Sequence, residues 1–134
     1  MSIPCGTVVD AQTMYDFNPN FGLLSSFEPA SNTLSAQAVQ DKGTVCRWMN
    51  QTSRITIDIA ISSPGPTAFA AAKDAAKAGS AVSGIGDAAY FSVSGGVGTL
   101  QAFSGKFWVS AASPAFASSA DAATLVKSAV ASTN

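Results

Sequence analysis

The chain has 134 residues, a formal net charge of −1 from seven basic and eight acidic side chains, no histidine and two cysteines. The length suits one domain with one core, and so balanced a charge cannot neutralise a row of phosphates, which excludes the usual footprint of a nucleic-acid or anionic-membrane binder. Without histidine there is no Ser-His-Asp or Cys-His nucleophile and no histidine-ligated zinc, and two cysteines cannot complete a four-cysteine zinc site or hold an iron–sulfur cluster alone.

Ala and Ser supply 44 residues and Ile, Leu, Val and Phe 29, so the expected core is built largely from small side chains. The start, Met1-Ser2-Ile3-Pro4-Cys5, has no basic segment followed by an apolar one, and no window approaches 18 apolar residues. The expectation is a single domain over residues 3–132 with residues 1–2 an added start, the chain being either cytosolic or a mature fragment that begins on a new methionine. Cys5 and Cys46 do not form a C-x-x-C redox motif. Their spacing leaves open a bridge or two unrelated buried thiols, since a free cysteine packs as a small hydrophobe.

In chain order, Thr7 and Asp10 stand at a loose capping-box spacing, and Val8, Ala11, Met14 and Tyr15 share one helical face. This predicts a helix over 7–16, ended by the Asn18-Pro19-Asn20 turn. Residues 21–33 lack periodicity and read as a long loop with room for an irregular edge strand. Leu34, Ala36 and Ala38 alternate with polar residues, which predicts a weak strand before the Asp41-Lys42-Gly43 turn. Val45, Arg47 and Met49 then alternate with Cys46 and Trp48. Ile55, Ile57, Ile59 and Ile61 alternate with Arg54, Thr56, Asp58 and Ala60. Asn50-Gln51-Thr52-Ser53 joins these two strands as a hairpin, and its glycosylation sequon carries no weight.

Pro66 opens a predicted Ala-rich helix over 66–78, with Phe69, Ala72 and Ala76 on one face and Gly79 as its stop. Strands follow at Ala88–Val93, Val97–Phe103 and Phe107–Ala112, joined by Ser94-Gly95-Gly96 and Ser104-Gly105-Lys106 turns. Ser118 or Ser119 caps a last helix with Asp121 in its first turn, and Ala122, Leu125, Val126 and Ala129 form its buried stripe. The order implies an α+β fold with a mainly antiparallel sheet and flanking helices.

Motifs for chemistry are sparse. Gly84-Ile85-Gly86-Asp87-Ala88-Ala89 matches G-x-G-x-x-A, but a helix precedes it and a strand follows, the reverse of the dinucleotide context, so it reads as a turn feeding a strand. Gly95-Gly96-Val97-Gly98 lacks the ending of a phosphate loop and reads as a hairpin. The acidic residues are scattered, with Asp58 on the polar face of its strand. No G-x-S-x-G elbow or S-x-x-K quartet is present. Enzyme activity is therefore not expected, and neither is a metal or cofactor. The aromatics are expected mostly in the core. Arg47, Trp48, Tyr90 and Trp108 remain as a candidate binding surface.

Taken in order, Ile3-Pro4-Cys5, Cys46-Arg47-Trp48, Gly84-Ile85-Gly86-Asp87-Ala88-Ala89-Tyr90-Phe91, Lys106-Phe107-Trp108-Val109 and the Ala-rich C-terminal helix resemble a family of small exported actinobacterial lipoproteins of uncharacterised function. The resemblance spans nearly the whole chain. It implies a disulfide between Cys5 and Cys46, an extracytoplasmic location, and a mature domain whose lipid-anchored leader has been removed. It also implies an α/β/α sandwich similar to the PsbP-like group, whose members mostly bind proteins. The leading expectation is a non-enzymatic interaction domain at a bacterial cell envelope, holding a partner protein or envelope component. The alternatives are a small-ligand carrier with an apolar pocket and a structural subunit of a surface assembly.

Overall fold

The period-two strands dominate the architecture. A computed structural model describes residues 2–134, in which seven strands form one sheet, every neighbouring pair antiparallel. The strands are β1 (Phe21–Leu23), β2 (Thr44–Asn50), β3 (Thr56–Ser62), β4 (Ser80–Ala81), β5 (Ala88–Ser94), β6 (Val97–Ser104) and β7 (Phe107–Ser113). Their order across the sheet is β1-β2-β3-β7-β6-β5-β4, so β3 meets β7 at the centre and the two shortest strands lie at the edges. Short edge strands limit the row of unpaired backbone groups open to another chain.

The helices are α1 (Cys5–Val8), α2 (Ala11–Phe17), α3 (Leu34–Gln40), α4 (Pro66–Ala76) and α5 (Ser119–Ala131). Because side chains alternate across a strand, the aliphatic row Ile57, Ile59 and Ile61 faces one side with Cys46, Trp48, Leu100, Val109 and Ala111. There it packs on Val8 of α1 and on Ala122, Leu125, Val126 and Ala129 of α5, all buried. The α5 stripe is thus where its 3.6-residue period placed it. The alanines of that stripe, with Ala102 and Ala111 beneath, have no side chain beyond Cβ to hold helix and sheet apart. The opposite sheet face carries α3 over β2 and β3, and α4, whose Phe69 meets Phe103 edge-on at 5.5 Å between ring centroids. The result is an α+β fold in three layers.

Several local expectations change. The weak strand at Leu34, Ala36 and Ala38 is instead helix α3. Thr33 adopts extended backbone and its hydroxyl accepts a hydrogen bond from the Ala36 amide, an N-cap that outweighs three alternating residues. The buried pair Ser35 and Ala38 is spaced i, i+3, as a helix requires. The predicted first helix is two, broken at Val9 and Asp10, because Asp10 caps α2 by accepting from the Thr13 amide at 2.8 Å. Tyr15 is 63% exposed rather than on the buried face. The loop over 21–33 does carry an edge strand, β1, whereas β4 had no sequence signal.

Gly98 shows how a small residue places a large one. A Cβ there would run into the Phe116 carbonyl oxygen and come within 2.8 Å of the Phe116 Cβ. Its absence lets the turn after β7 lay Phe116 into the core at 1% exposure. Gly84 and Gly86 both adopt positive φ, and Asp87 accepts a hydrogen bond from the Gly105 amide at 2.8 Å. The G-x-G-x-x-A match is therefore a turn that buries Ile85 and feeds β5.

Candidate functional site

The sheet face opposite α5 is only partly roofed, by α3 at one side and α4 at one end. Strand alternation puts three of the four candidate surface residues on it. Arg47 pairs in register with Asp58, Asp58 with Ala112, Ala112 with Thr99, and Thr99 with Ser92, which makes one row across the sheet. Ser110, Gln101 and Tyr90 align in the next row, then Trp108 and Phe103 in the one after. Trp48 points the other way. It pairs with Ile57 and is 3% exposed in the main core, on the face away from Arg47. Its immediate neighbour Arg47 is on the open face, because adjacent strand residues cannot share a face.

Arg47 and Asp58 form a two-pronged ion pair. The Arg47 Nε donates to Asp58 Oδ1 at 2.6 Å and Nη2 donates to Oδ2 at 2.8 Å, the planar fork geometry that suits guanidinium and carboxylate. Phe27, from the segment after β1, lies against the guanidinium with 4.1 Å between Arg47 Cζ and the ring centroid. The hydrogen bond to Asp58 raises the guanidinium pKa above its ordinary value, against a smaller opposing effect of burial. Arg47 thus fastens the otherwise irregular segment to the sheet. The sequence reads Asp58 as a residue of its strand's polar face; the neighbouring strand supplies the partner that makes it half of an ion pair.

The aromatic end is ordered by side-chain contacts. Trp108 Nε1 donates to Gln101 Oε1 at 3.0 Å, and its ring lies nearly parallel to Phe103, 11° between planes and 6.2 Å between centroids. Tyr90 meets the same Phe103 at 6.5 Å. Tyr90 and Trp108 are half-buried, so each offers part of a ring to solvent.

Between α3 and the β5–β6 hairpin this face holds a cavity of about 520 Å³. Eight of its twelve lining residues are Ser, Thr, Asn or Asp, and its floor includes Asp58, Thr99 and Ser110. Methyl and methylene groups, including those of Val97 and Ala112, complete the walls. Asp58 is the one ionisable lining residue, and Arg47 already engages both of its oxygens. Its side chain keeps 21% exposure. A carboxylate has about four acceptor positions, and Arg47 takes two. Thr99, Ser110 and Gln101 were not singled out from sequence, although their alternation with Leu100, Val109 and Ala102 was there to be read.

Cys5 and Cys46 are joined in a disulfide, with 5.8 Å between their Cα atoms. It ties the N-terminal end of α1 to β2 under the opposite, helix-covered face, away from the cavity. Among the described residues no group of three or more His, Cys, Asp or Glu is placed to hold a metal, and no helix is long and apolar enough to cross a membrane. The sequence matches no protein-family model, no curated protein and no solved structure.

Proposed function

We propose that this protein is a non-enzymatic binding domain that works outside the cytoplasm at a bacterial cell envelope, and that its partner, a protein or an envelope component, is held on the partly roofed sheet face. The single observation that carries this reading is the composition of that face. It gathers Arg47, Asp58, Tyr90, Gln101 and Trp108 in adjoining rows, half-buried and held in place by their neighbours. Side chains fixed in this way lose little freedom when a partner docks. The disulfide supports the compartment, because such bonds persist mainly in oxidising surroundings. The resemblance to exported actinobacterial lipoproteins points the same way, and the three-layer fold is the layering it implies. Asp58, the carboxylate that lines the cavity on this face, has both oxygens engaged by Arg47, which favours holding a ligand over transforming one.

The test is photocross-linking in the source organism. A benzoylphenylalanine at Ser92, exposed on the open face, is compared with one at Lys127, exposed on α5. The expected result is an envelope adduct from Ser92 that Lys127 does not give, with Cys5 and Cys46 refusing alkylation at lysis until reduced. The same adducts from both positions would remove the surface, and free thiols at lysis would remove the compartment.

A further inference from the structure

The cavity beside Asp58 has features that narrow the ligand. Ser35 of α3 and Ser110 of β7 both line it and are 6% and 5% exposed. Neither hydroxyl makes a hydrogen bond to another described residue. Yet no polar side-chain atom sealed from the surface lacks a partner among those residues. The two hydroxyls therefore open onto the cavity. Facing open space and not engaged by another described residue, each can donate to or accept from a ligand that enters. Thr56, Thr99 and Ser94 add further lining hydroxyls with no hydrogen-bond partner among the described residues, and Asp58 adds the acceptor positions that Arg47 leaves over.

We propose that this cavity binds a neutral saccharide, one end of an envelope glycan. This deepens the envelope-component reading above and rests on it. Three arguments select the class. First, no lysine or arginine lines the cavity, and the nearby Arg47 guanidinium is engaged by Asp58, so a phosphate or carboxylate finds no counter-charge. Second, β3, β7, β6 and β5 are each paired to their neighbours along the floor. Their backbone groups are spent, and an extended peptide cannot add to the sheet there. Third, the lining alternates hydroxyls with the methyls of Thr99, Val97 and Ala112, which matches a sugar ring's mixture of O–H groups and C–H faces. Hydroxyls both donate and accept, and the cavity volume is of small-ligand size.

The test is an amide-shift titration of the whole chain with glucose, mannose, galactose, arabinose, N-acetylglucosamine and trehalose, each up to about 50 mM, the range in which weak single-site sugar binding registers. Inorganic phosphate is titrated alongside. At least one sugar is expected to give saturable shifts centred on the amides of Thr99, Ser110 and Ala112. Ser110→Ala and Thr99→Val, which remove a hydroxyl and little volume, are each expected to weaken that binding by about tenfold while the rest of the spectrum is retained. No saturable shift with any sugar, equal shifts with phosphate, or binding indifferent to both substitutions would overturn the proposal. A Ser92 cross-link to a protein alongside a blank sugar titration would leave the interaction-domain reading standing without the saccharide.

Discussion

At the residue scale, the consequential side chains are those whose hydrogen-bond partner lies a few positions away or on the next strand. Asp10 is the local case. Hydrogen bonding from Thr13, backbone first, pulls its carboxyl below the ordinary 3.8, with burial opposing only slightly. A group whose folded value is depressed adds stability that is complete above its unfolded value and is lost as pH falls through the folded one. Thermal melts should therefore rank Asp10→Ala below the parent at neutral pH, with the gap narrowing as the pH falls below the ordinary carboxylate range and through the lowered folded value. Asp10→Asn, which caps without a charge, should hold its own melting temperature through the same range better than the parent. A gap that widens in acid would show that Asp10 acts some other way. Asp58 is the non-local case: its role depends on Arg47, eleven positions earlier in sequence and directly opposite in register.

At the element scale, α5 and α3 make opposite points. The thirteen residues of α5 present four buried side chains at helical spacing to the sheet, and its entry is held by Asp121, whose carboxylate accepts from the Ala117 and Ser118 amides at 2.9 and 3.0 Å. A pattern this long resolves itself. With Leu125 fully buried against the sheet, Leu125→Ala should cost about 3 kcal/mol, the transfer of the lost methyl and methylene groups plus the cavity they leave. Urea denaturation that shows less than about 1 kcal/mol would mean that α5 collapses onto the gap or contributes little to the core. The seven residues of α3 are too few for periodicity to choose between helix and strand, since Leu34, Ala36 and Ala38 fit a period of two while Ser35 and Ala38 fit a turn of helix. Thr33 just before Leu34 is a cap residue by type, and it is the local signal that the reading from alternation left out of account.

At the scale of the whole molecule, the Cys5–Cys46 bond closes a loop across 41 positions and anchors α1, whose Val8 is buried and whose Val8 carbonyl accepts from Ser128 of α5 at 2.8 Å. Loop-closure entropy for a span of that length is about 4 kcal/mol, a large share of the stability of a domain this size. A Cys5→Ala, Cys46→Ala double variant should lower the unfolding free energy by about that amount, read from the denaturant midpoint, with the fold retained. A change below about 1 kcal/mol would show that α1 and its contact to α5 constrain the N-terminal segment unaided. The one-sided loading of the sheet is also a property of the whole. Helix α5 with α1 seals one face, and the smaller α3 and α4 leave the other partly open.

The sequence by itself determined the α+β class, the two long strands at 44–50 and 56–62, the three-strand block, the last helix with its stripe, and the turn character of both glycine runs. Each of these rests on interactions between residues near in the chain, or on a period that local side chains declare. Tertiary structure alone decided that Arg47 clasps Asp58, that Trp48 is core while Tyr90 and Trp108 are surface, and that Ser35 and Ser110 meet across one cavity. Ser35 and Ser110 lie on a helix and a strand 75 positions apart in the numbering, and no local preference can carry that pairing. It follows from β3 closing on β7, a long-range pairing chosen by the burial of their shared aliphatic face rather than by anything either segment shows alone.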